Sequence, residues 1–246
     1  HGNGVQVAAY RIGMIIGGGG LVKVFAHFGW HETFVAMALI LAVVTIPIAV
    51  FREPKNARRA EEPAQLGAAL AFLRRPGVLG WIGLVMLYKF GDALPGPMAR
   101  TMLVDGGYSL DDIGSLFGIW GSLFGFAGAM TGGFLAKRRR LLALVVGGVL
   151  HTALLTAYAM PAFTYADAGV VAVLVVVEHF TGGIATVALF TAMMDVCDPK
   201  QGGTEYTVQA SAVVLVQFAG SVLSGVSAQA LGYGWHFVVV GVVSAI

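Results

Sequence analysis

The stretch AGVVAVLVVVEHFTGGIATVALFTAMM, residues 168–194, decides the fold class. It is long enough to cross a bilayer core as a helix, which takes about 20 mostly apolar residues. It lacks the alternation over about 10 residues that marks a barrel strand. Yet Glu178 and His179 stand in its middle. Outward from it, the chain holds seven such segments and a shortened eighth: roughly 5–28, 33–51, 77–99, 112–135, 141–160, 168–194, 205–230, and 235 to the end. The composition agrees. Of 246 residues, 57% are hydrophobic and 11% charged, with mean hydropathy +0.81, whereas soluble domains carry about 25% charged residues. The expected class is all-α, a polytopic membrane helix bundle.

A formal net charge of +2 is too small to argue for nucleic acid, and the single cysteine, Cys197, excludes an internal disulfide framework. The chain opens HGNGVQVAAY, without methionine or a signal-peptide layout, and stops at VVVGVVSAI, inside an apolar run. It reads as part of a longer protein, truncated at both ends.

Basic residues set the orientation. Arg52, Lys55, Arg58, Arg59, Arg74 and Arg75 follow the second segment; Lys137 to Arg140 follow the fourth; Lys200 follows the sixth. The alternate connections, near 29–32, 101–112 and 161–167, hold no lysine or arginine. By the positive-inside rule the first set is cytoplasmic. The long connection 52–76 reads as a joint between two bundles. Its second part, Ala64 to Leu73, is a candidate amphipathic surface helix, with a plain polar linker as the alternative.

A repeat sets the period. Val5-Gln6 opens the first segment and Gly29-Trp30-His31 closes it; Val208-Gln209 opens the seventh and Gly234-Trp235-His236 closes that. Internal repeats of this kind mark secondary transporters, with the substrate site at the repeat interface. A six-helix period predicts four further helices before this chain and twelve in the intact protein. Residues 1–51 would then be the last two helices of an N-terminal bundle, 52–76 the linker, and 77–246 a C-terminal six-helix bundle with an incomplete last helix. Glycines three or four apart, Gly114 to Gly132 on the fourth segment and Gly13, Gly17 and Gly20 on the first, predict close helix packing.

Ionisable groups at mid-membrane cost about 2.5–3.5 kcal/mol even on lenient scales, so they face a bundle interior or a wet cavity. Glu178 lies near mid-span. Burial there disfavours its charge, which suits proton coupling; the alternative is a protonated glutamate that only ties helices together. His179, about 100° away on the helix, reads as packing or bonding elsewhere, and His151 as a packed helix residue. Lys89 and Asp92 share a helix face, either as a structural ion pair or as a pair opened by an anionic substrate or a proton. Pro95 and Pro97 follow as a bend or gate. Arg11 is a candidate carboxylate partner or a snorkelling side chain, and Gln6 and Tyr10 share its path. Asp195, Glu205 and Tyr206 read as solvated or capping residues near the inner ends. No metal, nucleotide or hydrolase motif is present in the sequence, so neither metal nor cofactor is expected.

Several stretches together resemble the AmpG-type muropeptide permeases of the major facilitator superfamily. They are GNGVQVAAYRIGMIIGGG (2–19), LYKFGDAL (87–94), DGGYSLDDIG (105–114), EHFTGGIATVALFTAMMDVC (178–197) and GGTEYTVQAS (202–211). The resemblance covers nearly the whole chain, as helices five to twelve of a twelve-helix fold. It implies a bacterial inner-membrane importer of anhydro-muropeptides, driven by protons and serving cell-wall recycling and β-lactamase induction. Arg11, Lys89, Gln6, Tyr10 and Tyr88 would bind substrate; Glu178 and Asp92 would couple protons. The expected partners are an acidic small molecule, protons and the lipid bilayer, with no nucleic acid; the oligomeric state is left open, with a monomer favoured. One departure stands out: in GGFLAKRRRL, Lys137 occupies the position of the acid in the superfamily's basic loop. Alternatives are a transporter of another acidic metabolite such as acetyl-CoA, a membrane-embedded enzyme, or an ion channel. The 246 residues alone are not expected to transport, since a cavity between two bundles needs both.

Overall fold

The computed structural model describes residues 12–51, 65–164 and 167–245, and among these every regular element is helical. The helices are α1 (Ile12–Phe28), α2 (Trp30–Val50), α3 (Gln65–Leu73), α4 (Val78–Asp105), α5 (Leu110–Arg138), α6 (Arg140–Thr164), α7 (Ala168–Val196) and a helical stretch Gly202–Ser244. That last stretch breaks at Gly232, whose φ of 75° and ψ of 162° no helix accepts, so it is treated as α8 (202–231) and α9 (233–244). Helices stand at each of the eight expected segments as far as the described residues reach, the first from Ile12 onward. Six helices among the described residues are long and apolar enough to cross a membrane.

The repeat has a structural echo. Gly29, with φ 90° and ψ −171°, separates α1 from α2 as Gly232 separates α8 from α9. Counted from Val5 and from Val208, the two breaks fall at the same spacing. Glycine is needed at both, because a Cβ disfavours positive φ.

Antiparallel neighbours are tied at their ends. Arg75 pairs with Glu205, and Arg140 with Asp195, so the basic connections gather at one end. At the other end the Tyr233 hydroxyl donates to Asp105, and Lys23 Nζ reaches both Asp111 oxygens at 2.9 Å. Of the two readings expected for Glu205, solvated or capping, the first fails, since it is 1% exposed; it accepts the Asp198 amide at 2.8 Å from the first turn of its helix. Two donors compensate the buried charge. Helix α3 forms where expected, but it is apolar on both faces. Phe72 is fully buried against Val78 and Ile82 while Leu66 stays exposed.

A break in the hydrogen-bond ladder of α4 lies beside the site. In α4 the helix is interrupted at Leu94, immediately before Pro95 and Pro97, which remove two amide donors. The Ser224 hydroxyl of α8 donates to the Leu94 carbonyl there. Beyond Leu94, whose own angles stay helical, α4 runs on to Asp105, past the expected end at 99, since proline is tolerated in a first turn.

Glycines set the packing. The π-helical stretches Ile15–Gly20 of α1 and Gly114–Gly121 of α5 cross where Gly118 meets Gly18 and Gly19 backbone to backbone. Gly13 and Gly17, expected at such contacts, face open space. Between α5 and α7, Gly128 rests on the Phe180 carbonyl and Gly183 on the Gly125 carbonyl. Overpacking costs about 1–3 kcal/mol where side chains adjust; at Gly128 the obstacle is backbone. Gly128→Val is therefore expected to lower the midpoint of thermal unfolding clearly. Gly17→Val, which meets nothing, serves as control; equal midpoints would contradict this packing.

Candidate substrate and proton site

Three helices bring the polar side chains together. Asp92 stands two residues before the interruption in α4, His151 comes from α6, and Glu178 and His179 from α7. Glu178 lies roughly 16 Å along its helix from Asp167 at 1.5 Å per residue, deep within the span. Lys89 Nζ donates to Asp92, the i,i+3 contact read from sequence. His151 Nε2 is 2.8 Å from the second Asp92 oxygen. The other ring nitrogen, Nδ1, faces Glu178 Oε1 at 3.8 Å and has no hydrogen-bond partner among the described residues. His179 Nδ1 is 2.6 Å from Glu178 Oε2 and 2.9 Å from the Val175 carbonyl.

His151 thus spans two carboxylates on different helices rather than merely packing. His179 bonds the Val175 carbonyl and packs on Phe117, as expected of a residue turned from Glu178, and its Nδ1 also comes back within 2.6 Å of the Glu178 carboxylate. Its orientation has a steric cause: the ring edge lies against Gly121, where a Cβ would come within 2.7 Å, and against the Phe117 ring.

The expected residues divide as follows. Asp92 and Glu178 meet through His151. Lys89 is buried, its ammonium held by Asp92 and 3.4 Å from Thr186 Oγ1. Tyr88 points away: its hydroxyl donates to the Leu144 carbonyl, and its ring packs beside Val85, Leu189 and Met193. Gln6, Tyr10 and Arg11 lie outside the described residues. Sequence reasoning passed over His151, and it did not consider Arg100 at all. An imidazole in the apolar run VVGGVLHTALL was the available signal for the first.

Asp92, Arg100, Phe117, Tyr158, Glu178 and His179 are among the residues that line a cavity of about 160 Å³. The Arg100 guanidinium lies 5.1 Å from the Phe117 ring centre. In charge terms Lys89 offsets Asp92, which leaves Glu178 with two imidazoles. One proton, on Glu178 or on a histidine, neutralises the cluster. No metal-binding group of three or more acidic, histidine or cysteine side chains occurs among the described residues.

Known proteins were compared with the chain. No protein-family model matches it. An AmpG-named transporter of Rickettsia felis is 25% identical over 248 residues, 94% of this chain and 59% of the relative. The anhydromuropeptide permease of Escherichia coli K12 is 27% identical over 213 residues, 84% of this chain and 43% of that protein. An AmpG-named transporter of Rickettsia conorii is 24% identical over 244 residues. The chain spans about half the length of the curated relatives it matches. With its apolar helices, these likenesses make it a multi-pass inner-membrane protein, and by sequence the chain is similar to AmpG-named transporters and to an anhydromuropeptide permease.

Proposed function

We propose that this chain is the greater part of a secondary transporter that carries anhydro-muropeptides inward together with protons. The observation that carries this reading is the cluster of buried Lys89 and His151 with the partly buried Asp92, Glu178 and His179. Within these five residues Lys89 offsets Asp92 and one added proton offsets Glu178, while Arg100 lines the same cavity without pairing with either carboxylate. A histidine between two carboxylates can take a proton at one ring nitrogen and release it at the other, which suits loading and release. In this reading His151 passes the proton between Asp92 and Glu178, and Asp92 keeps Lys89 satisfied meanwhile. The name of the Escherichia coli relative supports the muropeptide as substrate. The bundle 77–246 supplies one half of the translocation path, and 1–51 contributes the last two helices of the other.

The test is uptake of labelled anhydro-muropeptide into right-side-out membrane vesicles containing the full-length transporter. Accumulation that needs an inward proton gradient supports the reading. No uptake by folded protein rejects the muropeptide and moves the search to acetyl-CoA or another acidic metabolite.

A further inference from the structure

We infer that Arg100 and Tyr158 form a carboxylate-binding subsite in the cavity beside the proton cluster. The inference rests on the transporter reading and adds the chemical group by which the substrate is held. Arg100 has no carboxylate within ion-pairing distance among the described residues, although Asp92 and Glu178 line the same cavity. Its guanidinium is placed by the Phe117 ring instead. A guanidinium held over an aromatic ring keeps its hydrogen-bond donors for another partner, and its fork of donors matches a carboxylate.

Tyr158 is the second, independent observation. Its side chain is 1% exposed, and its hydroxyl has no hydrogen-bond partner among the described residues. It lines the cavity and lies within electrostatic reach of both Glu178 and Arg100. A buried phenol without a partner costs free energy, because the lost water is not replaced. A ligand oxygen removes that cost. The ring is fixed by stacking on Phe237, with centroids 5.5 Å apart, so the hydroxyl position is set before any ligand arrives.

Size decides how much of the ligand is meant. Drug-sized ligands occupy pockets of roughly 300–1,000 Å³. A cavity of about 160 Å³ holds one end of a muropeptide, not the whole. Arg100 lies two turns beyond Asp92 on α4, toward the end away from the basic connections. The acidic end of the substrate is held there, and the rest lies along the inter-bundle face. Lys89 and Tyr88 are engaged elsewhere, so the anion partner on α4 is Arg100.

The experiment uses the full-length protein, purified in detergent and titrated with an anhydro-muropeptide and with the same molecule amidated at its peptide carboxyls. The unsubstituted protein is expected to bind the acid about tenfold or more tightly than the amide, as charge-assisted bidentate contacts do. Arg100→Gln is expected to weaken the acid to the level of the amide and leave the amide unchanged; Arg100→Lys recovers part. Equal binding of acid and amide by the unsubstituted protein overturns the subsite. So does an Arg100→Gln protein, folded by its thermal transition, that loses both alike. If neither form binds, the muropeptide reading is what fails. The subsite is then read by phenylglyoxal modification of Arg100 in succinate or succinamide. Protection by succinate alone retains it, and no protection overturns it.

Discussion

Replacing Glu178 with glutamine is expected to abolish gradient-driven accumulation of substrate while leaving counterflow exchange. Glutamine keeps the size and most hydrogen-bonding capacity of the carboxyl but holds no exchangeable proton. The contacts to His179 and His151 then persist in form, and the cluster is neutral without a proton. A transporter frozen in that state still moves substrate down its own gradient, but a proton gradient no longer biases the direction. Vesicles preloaded with unlabelled substrate measure exchange, and an imposed pH step measures accumulation. Loss of both by folded protein would assign Glu178 a structural role, the simpler alternative for an intramembrane acid.

The second large effect falls on stability. Asp92→Asn leaves the buried Lys89 ammonium with neutral acceptors alone, the carbonyl of the new amide and Thr186, and no counter-charge. Breaking a buried pair from one side costs about 3–5 kcal/mol, because the orphaned charge stays. The midpoint of thermal unfolding in detergent is expected to drop sharply. Lys89→Met combined with Asp92→Asn is expected to recover most of the loss, since an apolar replacement of both partners is often neutral or better. Transport is not expected to return in the double variant, because His151 then has no carboxylate on α4. An Asp92→Asn protein as stable as the unsubstituted one would mean that Lys89 finds water in the folded state.

The helices were legible in the sequence because hydropathy and length are read one segment at a time. Residues 168–194 were expected as one span, and α7 covers Ala168–Val196. The clustering of basic residues at one end was legible too, and the Arg75–Glu205 and Arg140–Asp195 pairs agree with it. What went unread shares a cause: each part depended on a neighbouring helix. Glu205 looked solvated or capping from its place near a helix end, and the solvated reading fails because Arg75 and the Asp198 amide cover it. His179 is turned from Glu178 by about 100° on a helical wheel, but Gly121 gives its ring room to lie beside α5 and also come back to Glu178. His151 looked like packing because nothing in its own segment could bond it; its partners come from α4 and α7. Within GGGG at 17–20, periodicity could not say that Gly18 and Gly19 meet α5 while Gly17 meets nothing.

Proton movement during transport tests the coupling most directly. The full-length transporter would be reconstituted into proteoliposomes loaded with a pH-sensitive dye, with no imposed gradient, and anhydro-muropeptide added outside. The expected result is acidification of the interior that keeps pace with substrate entry and disappears with Glu178→Gln. Substrate entry at the full rate with no change in internal pH would contradict a proton-coupled site at Asp92, His151 and Glu178.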